Sequence, residues 1–280
     1  MAEGFQPNEE ISAIITKLWD IDENKCEPYV DYEVDLQGYV TSARHISRRD
    51  YARYNLFSWL DEDHVFNKPT YHAFRQLLDN YESETGKSEE VSPEEEEENH
   101  HFIDKIMETA VMQEAHSWLV SKELAEEDTE AFKEQLYNIW FKLYWRLRED
   151  RKLDSCGFEH VFVGETRGHE VIGFHNWIQF YLQEKRDNID YKGYFRRGTA
   201  NEDQPRLITL QFSWKKGGGK PIGSSFIGTS PEFEIAMYTI CFLARDGSTK
   251  IPLQVHDYDF TVIVYPHGMG IGSAFPISDE

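Results

Sequence analysis

Two histidines and a lysine are the residues of this 280-residue chain whose types and spacing best suit chemistry. His160 and His175 fall within one stretch, GFEHVFVGETRGHEVIGFHNWIQFY at 157–181, and Lys220 follows a run of three glycines. Two imidazoles can act as general base and general acid of one reaction, and an ammonium can hold charge that develops on an oxygen. A ribose 2′-hydroxyl attacking its own phosphodiester would use all three. One ring takes the hydroxyl proton, the other protonates the departing 5′-oxygen, and the lysine faces the phosphoryl oxygens. The nucleophile then belongs to the substrate, and no serine or cysteine nucleophile is needed. DNA, without the 2′-hydroxyl, is outside this chemistry. Gly-Gly-Gly-Lys is no nucleotide-hydrolase phosphate loop, because the GxxxxGK[ST] spacing is absent. A histidine on a strand is more often structural when it stands alone, so the pair carries more weight than either member.

The elements that must position these groups change character midway. Ile11, Ile14, Ile15, Leu18 and Trp19 mark one apolar helix face, and Tyr71, Phe74, Leu77, Leu78 and Tyr81 mark another after Pro69. Phe132, Leu136, Ile139, Trp140, Leu143, Tyr144 and Leu147 predict a long helix closing the first half. Between them, 83–101 reads as a solvated loop followed by a helix capped at Ser92-Pro93-Glu94, with a five-Glu run on its exposed face. After residue 150 the period becomes two. FEHVFVGE reads as a strand with Phe158, His160 and Phe162 on one face, RLITLQFSW and YDFTVIVY alternate likewise, and Gly217-Gly218-Gly219 reads as a hairpin turn. Helices from Asn176 and from Ser230-Pro231-Glu232 interrupt the strands. The expected fold is α+β: a mainly helical region at 1–150, then a mostly antiparallel catalytic region with two interrupting helices at 151–280, within one unit.

An aromatic content of 14% supplies core material for a globular protein. No apolar run of membrane-spanning length occurs, and MAEGFQPNEEIS lacks the features of a secretory signal. Cys26, Cys156 and Cys241 are odd in number and widely spaced, which suits reduced thiols in the cytoplasm or nucleus. The net charge of −22 weighs against a polyanionic partner until it is divided. Residues 1–150 hold 15 Lys and Arg against 35 Asp and Glu, whereas 151–280 hold 14 against 16. Nearly all the acidity thus lies outside the half with the histidines.

At these residues the sequence resembles the EndoU family, the XendoU-like, uridylate-specific endoribonucleases. The strings ARYNLF (52–57), KPTYHAFRQLLDNYE (68–82), GFEHVFVGE (157–165), GFHNWIQFYLQEK (173–185) and IGSSFIGTSPEFE (222–234) carry the likeness across most of the chain. The resemblance implies an EndoU-like fold, catalytic roles for His160, His175 and Lys220, and a need for Glu159 and Glu165. It places His175 as base and His160 as acid, and Ser224 where the uracil edge is read. Ser273-Ala274-Phe275 stands where the family has Thr-x-Tyr, so a stacking face is kept and a hydroxyl lost. It further implies single-stranded, uridine-rich RNA as partner of a monomer, 2′,3′-cyclic phosphate products, and dependence on Mn²⁺ or Ca²⁺. Spacing names no metal ligands. Asp20-Ile-Asp22-Glu23-Asn24 begins like an EF-hand loop, but Lys25 replaces the required glycine. His100-His101 beside the glutamates reads as a solvated patch. Two rivals are a non-catalytic RNA-binding protein using Trp214, Phe226 and Phe275 as stacking surfaces, and a metal-dependent phosphodiesterase.

Overall fold

Side chains that can accept backbone N–H bonds start the helices of the first half. In the computed structural model, which describes residues 5–47, 49–146, 152–196, 203–215 and 218–278, Asn8 caps α1 (Glu9–Ile21) by accepting from Ile11 N at 3.0 Å. Lys68-Pro69 opens α3 (Pro69–Gln76) just after the short α2 (Glu62–Phe66). Ser92 and Glu95 form a reciprocal capping box at α4 (Pro93–Met107), as Ser92-Pro93-Glu94 predicts, and each such cap is worth about 1 kcal/mol. Thr109 and Asp128 cap α5 (Ala110–Ser121) and α6 (Thr129–Trp140). The five-Glu run lies on the first turns of α4 and is largely exposed. A short antiparallel pair, β1 (Tyr32–Val34) with β2 (Phe57–Leu60), also belongs to this half.

The helix at the end of the first half is shorter than its periodicity predicts. α6 stops at Trp140, and Tyr144 pairs in an isolated antiparallel bridge with Ser155; Leu147 lies outside the described residues. Leu143 and Tyr144 keep an apolar spacing, yet the chain beyond Phe141 is drawn out to run beside the start of the catalytic half.

Two sheets form the second half. The larger has the order β3 (Glu165–Arg167), β4 (Glu170–Ile172), β7 (Gly218–Phe226), β6 (Leu207–Trp214), β5 (Ile189–Arg196), antiparallel except where β4 meets β7. Gly218 and Gly219 sit inside β7 rather than in a turn, and Gly217 lies outside the described residues. The smaller is a meander of β8 (Lys250–Val255), β9 (Tyr258–His267) and β10 (Gly270–Ser278). α7 (Trp177–Lys185) and α8 (Pro231–Ala244) interrupt the strands as expected. α8 is buried almost throughout and touches α1, α3 and α5 on one side and β9 and β10 on the other. One buried apolar cluster runs through elements of both halves.

Candidate active site

His160 lies on a helical turn, where period two predicts a strand. Gly157 and Phe158 begin it, and Glu159–Val163 form a π-turn closed by Gly164 N–H to Glu159 O at 2.8 Å. The two readings share a spacing: Phe158 and Phe162, four apart, fall on one face of a strand and equally on one face of a helix. Both rings enter an aromatic cluster with Phe74, and Phe158 also meets Phe102 and Phe141. That packing selects the turn, and a π-turn is a common device at functional sites.

Fifteen residues on, the chain returns to the same turn. Phe174 N donates to His160 O at 2.9 Å and His175 N to Val161 O at 2.7 Å, so the backbones that bear the histidines are bonded directly. Gly173 makes this approach possible. Its φ is +63°, and a Cβ there would stand 1.8 Å from the His160 carbonyl oxygen. Phe174 follows with φ +64°, a left-handed conformation costing a bulky residue about 1–3 kcal/mol. Asn176 then caps α7, its Oδ1 accepting from Ile178 N and Gln179 N, both at 3.0 Å. Its amide donates to Glu234 Oε1 on α8 at 3.3 Å. His175 is therefore fixed immediately before a helix N-terminus, as its sequence context predicts.

The two rings have different partners. His160 Nδ1 bonds to Glu165 Oε2, and Arg146 Nε reaches the same carboxylate at 3.0 Å. Burial opposes ionisation of Glu165, but His160 and Arg146 hold its carboxyl below the usual value. Glu165 is thus the acceptor, and His160 carries its proton on Nδ1 when neutral. His175 Nδ1 lies 2.8 Å from Ser224 O; a carbonyl only accepts, so Nδ1 again bears the proton. In both rings Nε2 is left for chemistry. Burial pushes His160 down to about 4, with Glu165 opposing and Arg146 and Lys220 adding to the shift. His175 goes well below its ordinary value through burial, then Lys220 and His160, against the Ser224 carbonyl.

Lys220 is 7% exposed, and no carboxylate pairs with it among the described residues. Burial lowers its ammonium to about 8. Its stem passes Gly223, where a Cβ would lie 2.9 Å from Lys220 Cε, so a glycine leaves that channel open. Phe275 stacks on His175 with centroids 4.6 Å apart and 12° between planes. Ser224 Oγ donates to Pro276 O, which joins β7 to β10 and leaves the hydroxyl lone pairs for a ligand N–H. Ser273 is half-buried, two residues before Phe275. His160, His175, Lys220, Glu165, Ser224 and Phe275 are therefore brought together. Glu159 is different. It is wholly buried, neither carboxylate oxygen has a partner, and burial with Glu165 and Glu89 raises it well above the usual range.

Sequence reasoning passed over Arg146, Asn176 and Glu234. Arg146 bonds Glu165, Ser155 Oγ at 2.9 Å and Gly272 O at 3.1 Å, tying His160's partner to β10. Only the end of α6 and the Tyr144–Ser155 bridge bring it there, and no local spacing encodes that. The Asn cap was readable; its bond to α8 was not. Trp214 and Phe226, expected as stacking surfaces in the non-catalytic reading, are both buried. No group of three or more His, Cys, Asp or Glu side chains among the described residues is arranged to hold a metal ion. Asp22 Oδ1 accepts from Asn24 N and Lys25 N, and Asp20 pairs with His256, so the EF-hand-like string is otherwise engaged. The residues present do not fit a resident cation, and no step below runs through one.

A family model described as Endoribonuclease XendoU matches residues 10–276. The chain belongs to the XendoU endoribonuclease family. It is 49% identical over 278 residues to poly(U)-specific endoribonuclease-B of Xenopus laevis, covering 97% of this chain and 94% of that protein. It is 50% identical over 284 residues to uridylate-specific endoribonuclease B of Danio rerio, covering 99% and 98%. The solved structure of XendoU, titled as a splicing-independent snoRNA-processing endoribonuclease, superposes with a TM-score of 0.86 at 46% identity over 98% of this chain and 99% of that one. The α+β architecture of this XendoU-family chain is thus shared with a solved member. No helix among its described residues is long and apolar enough to cross a membrane.

Proposed function

We propose that this chain cuts single-stranded RNA at uridylates by 2′-hydroxyl transesterification. The observation that carries the reading is the unpaired, buried Lys220 ammonium set with two imidazoles whose Nδ1 atoms are both engaged. The relatives named as poly(U)- and uridylate-specific endoribonucleases support the substrate. His175 Nε2 takes the proton of the 2′-hydroxyl, and the 2′-oxygen bonds to the adjacent phosphorus. The bond to the 5′-oxygen breaks, and that oxygen receives the proton of His160 Nε2. The products are a 2′,3′-cyclic phosphate and a 5′-hydroxyl, and solvent restores both rings. Lys220 donates to the non-bridging oxygens as their charge grows.

The partners assign the order. His160 sits on a carboxylate, which favours its charged form, whereas His175 has only a carbonyl and lies in the field of Lys220. An anionic phosphodiester entering the site raises both rings, and the ring with Glu165 behind it holds the proton better. Uracil fits Ser224 and Ser273 by hydrogen bonding: N3–H can donate to the Ser224 hydroxyl, whose own proton is engaged. Phe275 has one face on His175, which leaves the other for a base or ribose. A divalent cation, Mn²⁺ or Ca²⁺, enters this reading as a counter-ion that lets RNA approach a surface of net charge −22. Three buried free thiols suit cytoplasm or nucleus.

A uridine-containing oligonucleotide and a copy with 2′-deoxyuridine at the cut site test the proposal. The first is cleaved to a cyclic phosphate and the second is not. Equal cleavage, or a 3′-hydroxyl end, would overturn it in favour of a metal-dependent phosphodiesterase.

A further inference from the structure

We propose that the outer face of the β8–β10 sheet is a second RNA subsite, which holds a nucleotide next to the scissile one through Tyr265 and Lys250; this rests on the endoribonuclease reading above. The register places these residues. Ser273 pairs with Tyr265, Phe275 with Ile263, and Ile263 in turn with Lys250. Directly paired residues of an antiparallel sheet project to the same side, and so do residues two apart. Ser273, Phe275, Tyr265, Ile263 and Lys250 therefore share one face. Burial agrees. Val262, Val264 and Ala274, which alternate with them, belong to the main apolar cluster, whereas Ile263, though buried, stands outside it.

This face meets the catalytic centre at one end, because Phe275 on it is the ring stacked on His175. Tyr265 is diagonal to Phe275, about 7–8 Å away by sheet geometry. Lys250 is two strands from Phe275 in the same row, about 10 Å. Tyr265 is 47% exposed and Lys250 is exposed, and neither side chain has a hydrogen-bond or ionic partner among the described residues. A carboxylate on this face, Asp259, lies at the far end and accepts from Gln254 at 2.8 Å. An open aromatic ring and an unpaired cation, continuous with a stacked His–Phe pair, match what a single strand offers: a base face, then a phosphate. Tyr265 stacks the base and Lys250 meets the phosphate.

The test uses the full chain and oligonucleotides with 2′-deoxyuridine at the cut position, lengthened one nucleotide at a time on either side. Such a probe reports binding without cleavage. One added nucleotide tightens Kd for the wild-type chain. Tyr265→Ala and Lys250→Met each lose about tenfold of that gain, near the low end of one base–aromatic stack, and Tyr265→Phe keeps it. Lys250→Met also makes the dependence of log Kd on log salt shallower by about one phosphate contact. A gain from added nucleotides that is unchanged in Tyr265→Ala and Lys250→Met, or absent from the wild type, overturns the subsite. A chain that binds through this face but cuts no ribose-containing RNA overturns the reading of function and leaves the subsite standing.

Discussion

The surroundings of His160 and His175 differ in kind, although both rings are buried and both use Nδ1 for a structural bond. His160 rests on charge: Glu165 behind it, Arg146 behind Glu165, and through Arg146 the carbonyl of Gly272 on β10. His175 rests on neutral groups: the Ser224 carbonyl, the Phe275 ring and a capped helix start. A carboxylate stabilises an imidazolium, and a carbonyl beside a lysine does so far less. The difference teaches how one site separates acid from base with two identical side chains, by giving them unlike neighbours.

The largest expected effects come from removing either ring. His160→Ala and His175→Ala each lower kcat by roughly 10²–10⁴-fold while circular dichroism and Tm stay near wild type. A rate within twofold of wild type would remove that ring from the mechanism. Lys220→Met follows, with about a 10²–10³-fold loss. Since burial sets Lys220 at about 8, its charge is present below that pH and fades as pH rises through it. The kcat/KM of the wild-type chain therefore falls above pH 8, a limb that Lys220→Met lacks.

Glu165→Gln sharpens the contrast between the rings. Glu165 raises the pKa of His160, so its loss lowers it further, and the fraction of protonated acid at pH 7 drops. A fall in kcat of about 10–100-fold is expected, and the imidazole NMR titration of His160 moves to lower pH while that of His175 stays put. Equal movement of both would show that the carboxylate serves the site as a whole. A smaller effect belongs to the scaffold under His175. Glu234 is raised to about 8 by burial, although Thr229 and Asn176 donate to it. A carboxyl whose folded pKa exceeds its unfolded one stabilises fully below the unfolded value, and that stability is lost as pH rises through the folded one. Glu234→Gln thus raises stability at pH 8 by about 1 kcal/mol or more, and leaves it nearly unchanged at pH 4, measured by urea unfolding.

Much of this was legible in local sequence. Helix starts at Asn8, Ser92, Asn176 and Ser230 follow from side chains that accept N–H bonds, and β6 and β9 follow from alternation. The failures have a common cause. At Phe158–Phe162 a spacing of four satisfies both periods, and only the ring cluster around Phe74 decides between them. At Leu143–Tyr144 an apolar pattern continues past the helix because those side chains are wanted by a different partner, the start of the catalytic half. The sharing of Glu165 between His160 and Arg146 is carried by no spacing at all.

By itself, then, the sequence determined which groups were available for proton transfer, the class of fold, and the uneven division of charge between the halves, since residue type, period and count are local properties. The tertiary structure alone decided that His160 stands on a π-turn, that Glu159 is sealed in while Glu165 serves the ring, and that Lys220 stays unpaired. Those outcomes depend on desolvation and on partners distant in sequence, and both exist only once the chain has folded around them.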